Sequence, residues 1–150
     1  MATALVAALS TVSAAAAESG AVVPVLWESP GCRHEKLGPL VVQTGERVSE
    51  ITQDERVPTV RYQRAVVRLA DAAAAKGANA VVLRQHQAVY FTRLGRKSQD
   101  PVFIKLDGAA IRLPADASHC MLVAADVAEL ERRARTGKPV NVSSRHAYGE

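Results

Sequence analysis

With 150 residues, 48% hydrophobic but only 4% aromatic, the chain is long enough for one domain whose core must be built from Val, Leu, Ile and Ala rather than rings. Its net charge of +4, from 19 basic and 15 acidic residues, is too small and dispersed to indicate a nucleic-acid binder. An excess of this size suits weak attraction to anionic surfaces such as phosphate-bearing lipids or acidic polymers, and it also serves plain solubility.

Residues 1–17 carry no charge and pass from an apolar run into the small-residue block ending Ala15-Ala16-Ala17. That layout predicts a secretory signal peptide, with the mature chain beginning near Glu18. The segment falls short of the roughly 20 apolar residues of a membrane span. No cysteine lies near the cleavage site, so no lipid anchor is expected. These features imply a periplasmic protein that does not span the membrane.

Val22–Trp27 is a short apolar run broken by Pro24, compatible with an edge strand or an extended lead-in. Ser29-Pro30-Gly31 turns the chain before Cys32. Cys32 and Cys120 are the two cysteines of the chain. In an oxidising compartment they are expected to pair, stabilising by roughly 4 kcal/mol on a chain-entropy estimate. A thiolate metal site competes with that reading, because His34 and His119 flank the cysteines, although the ligand spacings are unlike those of zinc ribbons and fingers.

A strand is predicted after Pro39, with Leu40 and Val42 on one face, and a polar loop from Gly45 to Val57. The clearest helix runs from Pro58, suited to a first helical position, to Gly77, a natural C-terminal cap. Tyr62, Ala65, Val66, Leu69 and Ala73 give it an apolar stripe. Arg61, Arg64 and Arg68 form a second stripe, either solvated or available to an acidic partner.

A long strand is predicted over 79–93, with Val81, Leu83, Val89 and Phe91 on one side and Val82, Arg84, His86, Ala88 and Tyr90 on the other. His86, between two glutamines, reads as a surface or partner-contact histidine. Leu94–Asp100 reads as a polar hairpin loop and 102–113 as the return strand. The apolar positions of that strand change parity across Asp107-Gly108, which predicts a bulge there. Val123, Val127, Leu130 and Ala134 mark a short C-terminal helix, with Glu129–Arg133 and Glu131–Arg135 as expected ion pairs. Residues 138–150 read as an extended tail.

Leu37-Gly38 opening a strand, Pro58 leading the helix, Ala65 within it, Ala78-Asn79-Ala80-Val81-Val82-Leu83 after it and Gly108-Ala109-Ala110 in the return strand resemble the RcsF-like and YbjQ-like family of small periplasmic domains. The likeness covers about residues 32–113. Members of the sensor branch are lipid-anchored and carry two disulfides, whereas this chain has two cysteines. The expected fold is α+β: one main helix packed on a small antiparallel sheet, with a short C-terminal helix and an extended tail. The expected organisation is a signal peptide (1–17), an α+β domain (22–123), and a C-terminal helix with a flexible tail (124–150).

The resemblance implies a cell-envelope interaction or stress-sensing module. The sequence contains no Gly-x-Ser-x-Gly elbow, His-Glu-x-x-His, phosphate loop or dinucleotide fingerprint. The expectation is therefore a non-enzymatic protein without a cofactor, whose partner is an envelope protein or an anionic envelope component. The alternative is a periplasmic heavy-metal-binding protein using His34, His86 and His119.

Overall fold

The structure, a computed structural model, describes residues 22–47 and 56–136. The expected signal peptide and the tail 138–150 lie outside the described residues.

Among those residues the chain forms β1 (Val25–Leu26), β2 (Glu35–Gly45), α1 (Tyr62–Ala75), β3 (Ala80–Val89), β4 (Thr92–Arg93), β5 (Arg96–Lys97), β6 (Phe103–Arg112) and α2 (Val127–Thr136). The main sheet has the order β1-β3-β6-β2, and β4-β5 form a separate two-stranded ribbon. β6 is antiparallel to both β3 and β2. β1, however, runs parallel to β3, pairing Val25 with Val81 and Leu26 with Val82.

The expectation of one main helix on a small antiparallel sheet, with a short C-terminal helix, is thereby corrected in its sheet, which is mixed; the C-terminal helix is present as α2. The long connection from β1 to β3 through β2 and α1 is what permits a parallel pair, which a tight hairpin cannot join. The other side of β1 is occupied as well. Leu26 bridges Ala124, Trp27 N–H donates to Val123 O (2.9 Å) and Ala125 N–H donates to Val25 O (2.7 Å). β1 is thus the terminal strand of the main sheet, as the edge-strand alternative expected, and the 123–125 segment bridges its outer side.

α1 begins at Tyr62, four residues later than predicted. Val60 N–H donates to Pro101 O (2.8 Å), which holds the Pro58–Val60 stretch against the lead-in to β6, and Arg61 takes the N-cap position with extended angles (φ −111°, ψ 143°). The C-terminus follows the prediction. Gly77 has φ +74°, its N–H donates to Ala74 O (2.8 Å) and Ala78 N–H donates to Ala73 O (3.0 Å), the paired bonds of a Schellman cap. Two residues on, the Asn79 side chain accepts from Leu113 N–H (2.7 Å) and donates to Leu113 O (3.1 Å), so it continues the β3–β6 ladder by one rung.

The parity change in β6 has a different cause from the bulge expected at Asp107-Gly108. The irregularities lie in its neighbours, between Leu83 and Gln85 on β3 and between Lys36 and Gly38 on β2. β6 runs through unbroken and changes only which of its faces is covered. Ile104, Leu106 and Ala110 lie in the α1-side core with Leu40, Val81, Leu83 and Leu69. Ile111 and Leu113 lie in a second cluster with Leu26 and Ala80, against which Cys32 and Ala117 pack. The β3 bulge also resets alternation: His86 pairs with Leu106 and Ala88 with Ile104, so both share the α1 face with Val81 and Leu83. The predicted strand 79–93 is accordingly shorter, ending at Val89.

Gly108 sits where α1 comes closest to the sheet. A Cβ there would lie 3.0 Å from Val81 Cγ2, 3.1 Å from Val82 O and 3.5 Å from Leu69 Cδ1. The glycine sets how near the Leu69 side chain can approach β6.

Candidate functional site

The cysteine pair is bonded: Cys32 and Cys120 form a disulfide with Cα atoms 5.1 Å apart. It joins the segment before β2 to the segment after β6 and closes the face over Ile111 and Leu113. Its sulfurs are consumed by that bond and are not thiolate ligands in this form. His34 Nδ1 lies 2.9 Å from Cys32 O, and His119 is exposed in the turn before Cys120.

His86 belongs to a different part of the molecule. Its Nδ1 is 3.2 Å from the hydroxyl of Tyr62, which has no exposed surface, and the two rings meet edge to face at 5.9 Å. Burial pushes the Tyr62 phenol up, with Tyr90 and Glu131 adding to the effect. Burial pushes the His86 imidazole down, aided by Arg133. A protonated phenol and a neutral imidazole can share one hydrogen bond at this distance, its direction set by the imidazole tautomer. The surface role read for His86 is corrected by this: it satisfies a buried hydroxyl. Among the described residues no three His, Cys, Asp or Glu side chains are grouped to hold a metal.

The arginine stripe of α1 is divided. Arg61 and Arg64 are exposed in the cap and first turn, where the helix dipole offers a cation no stabilisation. Arg68 instead donates to Gln43 O (2.9 Å), and Lys76 donates to Pro39 O (2.8 Å). Both carbonyls belong to β2, the border strand whose one sheet neighbour is β6. Two cations and a proline without an N–H thus blunt that edge against strand pairing.

Of the two expected α2 ion pairs, Glu129–Arg133 is present at 2.7 Å. Glu129 also binds Arg132, and the two guanidiniums hold its carboxyl at about 2. Arg135 turns from Glu131 to donate to Gln99 O (3.0 Å), and the Arg133 guanidinium stacks 4.6 Å above the Trp27 ring. Asp126 caps the helix by accepting from Ala128 N–H (3.0 Å).

The β4–β5 ribbon spans the end of the predicted 79–93 strand and the start of the predicted Leu94–Asp100 hairpin loop, and the feature that sequence reading passed over is its tight turn. Its turn residues Leu94 and Gly95 both have positive φ, +49° and +75°, the pattern of a two-residue hairpin turn that favours Asn-Gly. A leucine in that conformation costs roughly 1–2 kcal/mol, and this one is 95% exposed. The Leu-Gly pair between Arg93 and Arg96 was the available signal. The base of the ribbon is well anchored. Ser98 N–H donates to Phe91 O (2.7 Å), while Ser98 Oγ accepts from Phe91 N–H (3.1 Å) and donates to Asp100 O (2.8 Å). Lys97 Nζ stands 4.0 Å over the Tyr90 ring.

Beside the ribbon opens a recess of about 260 Å³, walled by Val57, Phe91 and Val102 and rimmed by Arg56, Thr59 and Arg96. Among the described residues neither rim arginine, nor Lys97, has a carboxylate partner. An apolar floor with two guanidiniums at its mouth suits an anionic group attached to something greasy.

No family model matches this chain, and no curated protein matches it either. The functional reading therefore rests on the residues themselves.

Proposed function

We propose that this chain is a non-enzymatic binding module of the bacterial cell envelope, of the RcsF-like kind, exported through its N-terminal leader and acting on an anionic envelope component. The observation that carries the reading is the Cys32–Cys120 disulfide. Such bonds form and persist in oxidising compartments, and cytosolic reductants keep thiols apart. The charge excess, and Arg56, Arg96 and Lys97 around the β4–β5 ribbon, which have no carboxylate partner among the described residues, support an anionic partner.

Fractionation of expressing cells tests the reading. The protein is expected in the periplasmic extract, starting near Glu18 and lacking two hydrogens relative to the dithiol mass. An intact Met1 with two free thiols in the cytosolic fraction would overturn it.

A further inference from the structure

We propose that the β4–β5 hairpin is a membrane-contact element, inserting Leu94 into the interface of an anionic lipid surface while cations at its base engage the phosphates. The proposal rests on the envelope reading above and names the partner.

Three independent features meet at this hairpin. Its apex is the most exposed large apolar side chain among the described residues, at 95%. Leu94 occupies a left-handed turn position (φ +49°) where Asn would relax the backbone, so folding alone does not favour leucine there. Behind the apex the chain turns directly into Arg96 and Lys97, and Arg56 and Arg96 both line the adjacent recess. At about 3.4 Å per strand residue, these cations trail the tip by roughly 3–7 Å. That is comparable to the 5–10 Å by which interfacial elements bury an apolar face below the headgroups. A convex tip with apolar apex and cationic collar reproduces the layering of acyl chains under phosphates, whereas an acidic protein groove would have no use for the protruding leucine. The exposed apolar stretch Met121–Val123 follows Cys120 and is less exposed, at 73%, 43% and 40%.

The hairpin is anchored from behind by the Ser98 bonds to Phe91 and Asp100 and by Arg135 reaching Gln99 from α2. A rigid base transmits insertion of the tip without unfolding the ribbon.

The test uses the protein purified with its disulfide intact, mixed with phosphatidylglycerol-containing vesicles or with pure phosphatidylcholine vesicles and sedimented. The expected result is binding to the anionic vesicles that weakens as salt is raised. Leu94→Asn is expected to lower vesicle affinity by about tenfold or more while leaving the thermal midpoint equal or higher, because the turn is relaxed. Arg96→Gln is expected to weaken binding about fivefold and to flatten its salt dependence. Equal binding to both vesicle types, no binding to either, or parental affinity in Leu94→Asn would each overturn the proposal. Those outcomes leave the envelope reading standing, because that reading fails only by fractionation. Inorganic phosphate that protects Arg96 while anionic vesicles do not bind would assign the cations to a free anion and overturn the lipid contact.

Discussion

On one side of the main sheet Leu69, Ala65 and Ala73 of α1 press on Leu40, Val81, Ile104 and Leu106, and all of these side chains are buried. On the other side Leu26, Ala80, Ile111 and Leu113 form a smaller buried cluster, with Cys32 and Ala117 laid over it. At about 1.5–3 kcal/mol for each large aliphatic side chain fully buried, the first face can hold itself together and the second gains little. The second face is the one crossed by the disulfide. Burial secures the helix side, and loop closure secures the opposite one. A small domain with few aromatic residues needs both devices.

The largest effect is expected where the first face is densest. Leu69 has no exposed surface and touches the sheet at Gly108. Leu69→Ala should lower unfolding stability by about 2–5 kcal/mol in a urea or guanidinium titration. A loss below about 1 kcal/mol would mean that α1 is not the main source of cohesion.

Removing the tie from the second face should cost less. The double change Cys32→Ser, Cys120→Ser opens a loop of sequence separation 88 and is expected to cost about 2–4 kcal/mol. It should also act unevenly: amide exchange should accelerate around Leu26 and Leu113 while Ile104 and Leu106 stay protected. Uniform acceleration over both faces would contradict the division proposed between them.

Gly108→Ala probes the spacing on the helix face from the opposite direction. The new Cβ would meet Val81 Cγ2 at 3.0 Å and Val82 O at 3.1 Å, and the second of these is backbone that cannot rotate away. Overpacking of this kind should cost about 1–3 kcal/mol, measured by the same titration. A neutral or stabilising result would show that α1 can lift from β6 freely.

Much of the local architecture was legible in the chain. The apolar stripe through Tyr62, Ala65, Leu69 and Ala73 gave the α1 face, Gly77 gave its end, and the pairing of β3 with β6 followed from adjacent apolar runs. The misreadings of β3 and β6 share one physical cause. Alternation reports which face is covered only while a strand stays in phase and one cover persists. The bulge after Leu83 broke phase in β3 and sent His86 inward. In β6 the cover itself changes, from α1 over Ile104 to the disulfide loops over Ile111, and this was read as a bulge. The parallel β1 was hidden because a two-residue strand has no period of its own. At the candidate site, the cations were visible but the exposed Leu94 was not, since a lone leucine in a polar stretch gives no periodic signal.

The smallest expected effect concerns the one polar pair set into the helix face. Burial and Arg133 hold His86 below its ordinary value of 6.5, with the Tyr62 hydroxyl of α1 at 3.2 Å, and Tyr90 beyond the end of β3 and Glu131 on α2 act in turn on Tyr62. An unfolded chain takes up a proton on this histidine near 6.5 that the folded chain refuses. The associated stability is therefore fully present above 6.5 and is lost as pH falls from there through the lower folded value. Partial exposure of His86 limits the size of the effect. Carboxylates titrate below this range and contribute their own slope, so a comparison is required. His86→Gln keeps an acceptor for the Tyr62 hydroxyl but does not titrate. Between pH 7 and 5 the variant should lose stability less steeply than the parent protein. Identical slopes would place the pH response elsewhere and leave the Tyr62–His86 bond a purely structural contact.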